Sequence, residues 1–211
     1  MKKIITLTFI SLLLIAVSCK RSEQKERETE QNSQAVSVSS KEEMHDMSIF
    51  LLPSEWETQE GKKMQLKDLQ GNVLVMVMIY TSCTSACPIL VADMKKIEER
   101  VGGNTSTPVK YVLITIDPVN DTAEVLKNFA AVRKMDGKQW LFLRSSDENT
   151  REFANVLAVK YTRISPIDFS HSNIISVFDE NGVLQYQQEG LNVDNKEITE
   201  KITELANHKK A

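Results

Sequence analysis

The sequence predicts a layered α/β domain in which helices pack on a central mixed β-sheet. Three observations carry that prediction: an unbroken apolar run from Val73 to Tyr80, a second from Tyr111 to Ile116, and intervening segments whose apolar residues recur at helical spacing. An uninterrupted apolar run suits a strand covered on both faces, as a sheet flanked by helices requires.

Taken in order, the elements begin near Met47 to Phe50, and the folded domain is expected to occupy residues 47–211. Trp56 to Met64 reads as an N-terminal β-hairpin turning at Glu60-Gly61. The apolar strand Val73 to Tyr80 follows. Leu90, Val91, Met94, Ile97 and Val101 then mark one face of a helix closed by Gly102-Gly103. The second strand ends at Asp117-Pro118, and Asp121-Thr122 is expected to cap a helix burying Val125, Leu126, Phe129 and Val132. Trp140 to Leu143 is a short strand, and Ser146 with Asp147 and Glu148 opens a helix holding the apolar residues Phe153, Val156, Leu157 and Val159. Thr162 to Ser172 reads as a loop. Ile174 to Phe178 and Val183 to Gln187 form a hairpin through Asn181-Gly182, a favoured turn dipeptide. An amphipathic helix from about Lys196 to Ala206 ends the domain.

The first eighteen residues have the character of an export signal: Lys2 and Lys3 precede an apolar run, Ile4 to Val17, that is short for a membrane span. Ala16-Val17-Ser18-Cys19 resembles a bacterial lipobox, cleaved before a cysteine that then carries lipid; the plainer alternative is a secretory signal with Cys19 incidental. Lipidation at Cys19 would hold the domain at a membrane surface without a spanning helix. From Lys20 to Glu43 there is no Gly, Pro or aromatic residue and hardly any large apolar one, so residues 19–46 are expected to be a solvated tether. Losing the signal removes two lysines and no acid, taking the formal charge from -3 to -5. That balance argues against a nucleic-acid partner.

Three cysteines occur, and with Cys19 assigned to lipid two remain, Cys83 and Cys87. A bridge across three residues closes too small a loop to brace a fold, so chemistry explains this pair better than stapling does. Four positions is about one helical turn, so both sulfurs can face one point. A helix N-terminus there favours thiolate over thiol. Pro88 suits a first helical turn, where its missing N–H costs little. Redox cysteines placed directly after a buried central strand are the layout of a thioredoxin fold. The ordinary redox motif has two intervening residues; a third relaxes the geometry for exchange and still lets two soft donors approach one soft ion. Softness selects copper(I), with zinc as competitor, against pure dithiol chemistry.

Histidine is scarce: His45, His171 and His208. His171 precedes the apolar strand beginning at Ile174, and in a thioredoxin topology that segment reaches the end of the sheet near the cysteine helix. Its imidazole could complete a site of two sulfurs and one nitrogen; the mundane alternative is a loop histidine satisfied by main-chain groups. His45 and His208 lie in terminal segments and are read as incidental. Met44 and Met47, flanking His45, are read as a short prelude to the fold rather than a metal lure.

At these residues the sequence resembles the Sco/SenC family, thioredoxin-like proteins of bacterial envelopes and mitochondria that assist assembly of the binuclear copper centre of cytochrome c oxidase. The resemblance covers about residues 48–190. It rests on Gly61 to Asn72 (GKKMQLKDLQGN), Tyr80-Thr81-Ser82-Cys83, Ala86-Cys87-Pro88, Ile116-Asp117-Pro118 with Asp121-Thr122, and Phe169-Ser170-His171-Ser172. It implies copper(I) ligation by Cys83, Cys87 and His171, copper(II) as a second state, and cycling of the two cysteines between dithiol and disulfide. It further implies a lipid-anchored protein of the bacterial envelope whose client is subunit II of the oxidase. The sequence departs from the family in Thr84-Ser85-Ala86 between the cysteines. The acid frequent just before the histidine is displaced to Asp168. Asp117 and Asp121 could tune the site, but ending a strand and capping a helix are their simpler roles. Three functions are therefore weighed: a copper metallochaperone, a thiol–disulfide oxidoreductase acting on a client's cysteines, and a lipoprotein binding module with a residual site. A peroxidase fits less well, because the Arg and Thr that would serve a peroxidatic cysteine are not identifiable.

Overall fold

The structure, a computed structural model, describes residues 47–208. The segments 1–18 and 19–46, with Cys19, Met44 and His45, lie outside the described residues.

Among the described residues nine strands and four α-helices follow in order: β1 (Glu55–Thr58), β2 (Lys63–Gln65), β3 (Val73–Ile79), α1 (Ala86–Val101), β4 (Val109–Thr115), α2 (Ala123–Val132), β5 (Trp140–Arg144), α3 (Asp147–Val156), β6 (Tyr161–Ser165), β7 (Asp168–His171), β8 (Ile174–Phe178), β9 (Leu184–Glu189) and α4 (Lys196–Asn207). Seven strands form one mixed sheet in the order β2-β1-β5-β4-β3-β8-β9, and β6 and β7 form a separate pair. Strands β3, β4 and β5 are parallel, and the remaining pairings are antiparallel. This is the mixed α/β sheet the sequence predicts, with the N-terminal hairpin attached at one edge through β1 and β5.

The apolar run becomes β3, paired with β4 on one side and β8 on the other, and all seven of its residues are buried. Each such side chain contributes about 1.5–3 kcal/mol by leaving water, so this strand anchors the core. Helix α1 turns Leu90, Val91, Met94 and Ile97 inward and ends on Gly102, whose φ of 69° is costly for a side-chain-bearing residue. The Asp179-to-Val183 turn likewise uses Gly182 at φ 76°.

Three expectations are corrected. The segment read as a loop is the β6–β7 hairpin, with Tyr161 opposite His171. Its residues alternate too weakly in polarity to show a strand period, because most of β6 faces solvent. Val125 and Val132 are 37% and 79% exposed, and Val156 is 44% exposed. In α2 the buried stripe is Leu126, Phe129 and Ala130, and Val132 lies about 240° around the helix from Leu126. In α3 the line Thr150, Phe153 and Ala154 carries the packing, with Leu157 just beyond, and Val156 falls off it. Asp121 does not cap α2. Thr122 does, its hydroxyl accepting the Val125 N–H. Asp121 is buried, and it accepts the Thr81 N–H at 3.1 Å and the hydroxyls of Thr81 and Thr115. The buried Thr115 hydroxyl and the half-buried Thr81 hydroxyl and N–H need an acceptor more than the exposed first turn of α2 does.

Candidate metal centre

Strand β3 delivers the chain to the site. Tyr80 follows it, buried, and the Cys83 N–H donates to the Tyr80 carbonyl at 3.3 Å, turning the chain toward α1. The Asp121 bonds to Thr81 fix the start of that turn. At the N-terminus of α1, Ser85 makes no side-chain cap. The Cys83 sulfur serves in its place and accepts the Cys87 N–H at 3.3 Å. One otherwise orphaned helix donor therefore points at a sulfur, and the sixteen-residue helix adds its dipole there.

The two thiols are consequently unequal. Burial alone would raise the Cys83 thiol; main-chain N–H groups at Cys87 and Ser85, with the neighbouring side chains of Cys87 and Tyr80, outweigh it and bring it down to about 7. Cys87 is pushed well up, by burial first and then by its proximity to Cys83 and Asp121.

His171 ends β7 and reaches the pair from the opposite side. Its Nε2 lies 3.6 Å from the Cys87 sulfur, and its Nδ1 lies 3.0 Å from the Ser172 carbonyl. A carbonyl can only accept, so the proton sits on Nδ1 and the Nε2 lone pair faces the sulfurs. Burial lowers the imidazole's affinity for a proton, and the Ser172 bond partly offsets that. Alternation along β7 puts Phe169 and His171 on one face. Phe169 and His171 both pack against the Tyr80 ring, at centroid distances of 5.1 and 5.8 Å.

Among the described residues, Cys83, Cys87 and His171 form a group whose donor atoms all lie within 4.8 Å of one another. Three donors bound to one ion at about 2.2 Å in a plane stand roughly 3.8 Å apart, so sub-ångström shifts would close them on a metal. Two sulfurs and a neutral imidazole are a soft set that suits copper(I), with zinc as the competing ion. Asp121 is committed to threonine and main-chain donors. Asp117 bonds Asn120 and pairs with Arg163. Neither offers a spare oxygen to the group, and His208 lies beside Glu204 on α4.

Sequence reasoning missed the residues that hold the hairpin. The Tyr80 hydroxyl meets Asp168 at 2.5 Å, Ser82 donates to the Ile167 carbonyl at 2.9 Å, and Arg163 pairs with Asp117 at 2.9 Å. The one available signal was the tyrosine closing an otherwise aliphatic run.

Against known proteins, the SCO1/SenC family model matches residues 44–207. The chain, a thioredoxin-like protein with a Cys-X3-Cys…His site, belongs to the SCO1/SenC family. Among its relatives is the SCO1 protein homolog of Bacillus subtilis, 31% identical over 103 residues, or 48% of this chain and 53% of the relative. The chain thus spans about half the length of that curated relative. Solved structures share the fold. A SCO1/SenC family lipoprotein from Bacillus anthracis is 26% identical with a TM-score of 0.64, covering 75% of this chain and 96% of that one. BsSco, a member of the Sco family of cytochrome c oxidase assembly proteins in which a disulfide switch was identified, is 23% identical with a TM-score of 0.65, covering 75% and 94%. Arabidopsis thaliana ScoI with copper bound is 20% identical with a TM-score of 0.64, covering 72% and 95%. No helix among the described residues is long and apolar enough to cross a membrane.

Proposed function

We propose that this protein holds copper(I) on Cys83, Cys87 and His171 and passes it to a client, serving as an envelope metallochaperone in maturation of the CuA centre of cytochrome c oxidase subunit II. The observation that carries the reading is the convergence of two sulfurs and an imidazole nitrogen within 4.8 Å. The Nδ1 contact to Ser172 supports it by leaving Nε2 free to ligate. The copper-bound Arabidopsis relative and the assembly role stated for BsSco support the metal and the client. Cys83 enters as a thiolate near neutral pH, and Cys87 surrenders its proton when the metal replaces it. His171 is a neutral donor on a hairpin outside the main sheet, so it yields first when a client ligand attacks. The signal pattern and the lipoprotein relative support an anchor at Cys19, with residues 19–46 as tether and residues 47–211 as the working domain outside the cytoplasm.

The test is an anaerobic copper(I) titration of the reduced chain against a competing chelator, with His171→Ala alongside. One copper per chain is expected. Loss of His171 should weaken retention by at least about 10-fold, the lower bound for removing even a supporting residue at a metal site. Failure to bind stoichiometrically refutes the reading.

A second reading is favoured by the unequal thiols. The Cys83 thiolate would attack a client disulfide to form a mixed disulfide and release one client thiolate. Cys87 would then displace the second client sulfur, leaving Cys83–Cys87 oxidised and the client reduced by two electrons. His171 would be dispensable for that exchange, which separates the two activities.

A further inference from the structure

The imidazole and the thiols of the site arrive on different pieces of structure. Cys83 and Cys87 follow from β3 and α1 at the heart of the domain. His171 rides on β7, whose only strand partner among the described residues is β6. No ladder joins the hairpin to the seven-stranded sheet, so apart from the short link through Ser172 and Asn173 into β8 its seating rests on side-chain contacts.

Tyr80 makes the central contact. It is the buried residue immediately after β3, three positions before Cys83. Its hydroxyl donates to Asp168 Oδ1, the stronger acceptor within reach, and lies 3.2 Å from the Phe169 carbonyl. The same oxygen accepts the Phe169 N–H at 3.3 Å, an N–H shared with Asp168 Oδ1 at 3.0 Å. These contacts fall on the first two residues of β7, and His171 is two residues beyond Phe169 on the same face. The Tyr80 ring meets the His171 ring edge-on at 5.8 Å. The other ties differ in kind: Ser82 to Ile167 is solvent-exposed, and Arg163, which pairs with Asp117 and lies over the Phe169 ring, is based on β6 rather than on the strand that carries the histidine.

We propose that Tyr80, bonded to Asp168 and to the Phe169 main chain, is the positioning residue that holds His171 at ligating distance from the two cysteines. Asp168 is the chain's displaced acid, three positions before the histidine, and here it acts on the tyrosine. The inference rests on the copper reading for its effect on affinity, but the placement of the imidazole it describes exists without metal. By this account Tyr80→Phe keeps the ring and the packing and removes only the hydroxyl, so the imidazole loses its setting while the core stays filled.

The experiment compares the full chain with Tyr80→Phe, Asp168→Ala, Asp168→Asn, His171→Ala, and Tyr80→Phe combined with His171→Ala. Copper(I) affinity is measured by chelator competition, and the imidazole nitrogen resonances of His171 are followed in the reduced, metal-free protein. Tyr80→Phe should lower affinity about 10- to 100-fold, the usual cost of losing a residue that orients a metal ligand. Asp168→Ala should cost less, because the Phe169 contacts remain. Asp168→Asn should restore most of that loss, since its carbonyl oxygen still accepts the hydroxyl. In the His171→Ala background Tyr80→Phe should have no further effect, because the ligand through which it acts is gone; a general loss of stability would persist there. In the metal-free protein the Tyr80→Phe substitution should move the His171 resonances. Unchanged affinity in Tyr80→Phe, or an equal loss in the His171→Ala background, overturns the proposal. If the unmodified chain takes no copper, the metallochaperone reading fails by itself, and the metal-free resonances alone decide the positioning role: shifted they uphold it, unmoved they refute it.

Discussion

The Cys87 N–H donates to the Cys83 sulfur across 3.3 Å, so the two thiols differ before any metal or client arrives. With Cys83 brought down to about 7 and Cys87 pushed up, only the first is substantially ionised at neutral pH. Alkylation of the reduced, metal-free protein should therefore modify Cys83 first. Its rate should rise with pH to a plateau with a midpoint near 7, below the ordinary thiol value of about 8.5. Peptide mapping after timed iodoacetamide exposure checks this; equal labelling of both cysteines, or a midpoint above 8, would contradict the asymmetry.

His171 makes stability of the metal-free protein depend on pH. Burial lowers its folded pKa beneath the unfolded value of about 6.5. Above 6.5 the imidazole is neutral in both states and folding is unaffected. As pH falls below 6.5 the unfolded chain takes up a proton that the folded chain resists, so stability drops until the lowered folded pKa is passed. Urea unfolding at pH 7 and pH 5 should show this loss, and His171→Ala should flatten it. An unaltered pH slope in the variant would show that the ring is not held neutral by burial.

Asp121 holds the turn that presents Cys83. Asp121→Ala leaves the buried Thr115 hydroxyl and the half-buried Thr81 N–H and hydroxyl without their acceptor. A cost of about 2–3 kcal/mol in unfolding free energy is expected from such orphaned donors. A helix-capping role would instead be replaceable by Asn at the same position with little loss, and denaturant unfolding of both variants distinguishes the two.

Trp56 ties the N-terminal hairpin to α3. It is fully buried, packs edge-on against Phe153 with centroids 5.5 Å apart, and donates its indole N–H to Ser54 at 3.1 Å. Trp56→Ala should destabilise the domain by about 3–5 kcal/mol through the cavity it leaves. The readout is the denaturation midpoint, and a change below about 1 kcal/mol would mean that the hairpin is peripheral to the cooperative unit.

Much of this architecture is legible in the residues alone. Val73 to Tyr80 announces a doubly covered strand because no polar residue interrupts it, and β3 is buried along its whole length. Ser146 before Asp147-Glu148 announces the start of α3, and its hydroxyl accepts the Asn149 N–H. The β6–β7 hairpin was not legible: most of β6 faces solvent, so its side chains show no clear alternation in polarity. Asp121 misleads for a related reason. Beside Thr122 it looks like a capping pair, and only the folded chain brings Thr81 from forty positions away to claim its carboxylate.

The sequence by itself determined the donor inventory: two sulfurs one helical turn apart behind a buried strand, and one histidine placed to join them. Spacing and side-chain type decide those properties, and both are written in the chain. Tertiary structure alone decided which thiol ionises, which imidazole nitrogen is free, and what holds the histidine eighty-four positions from Cys87 at 3.6 Å. Those properties depend on burial and on hydrogen bonds between distant segments, and such partners exist only once the chain has folded.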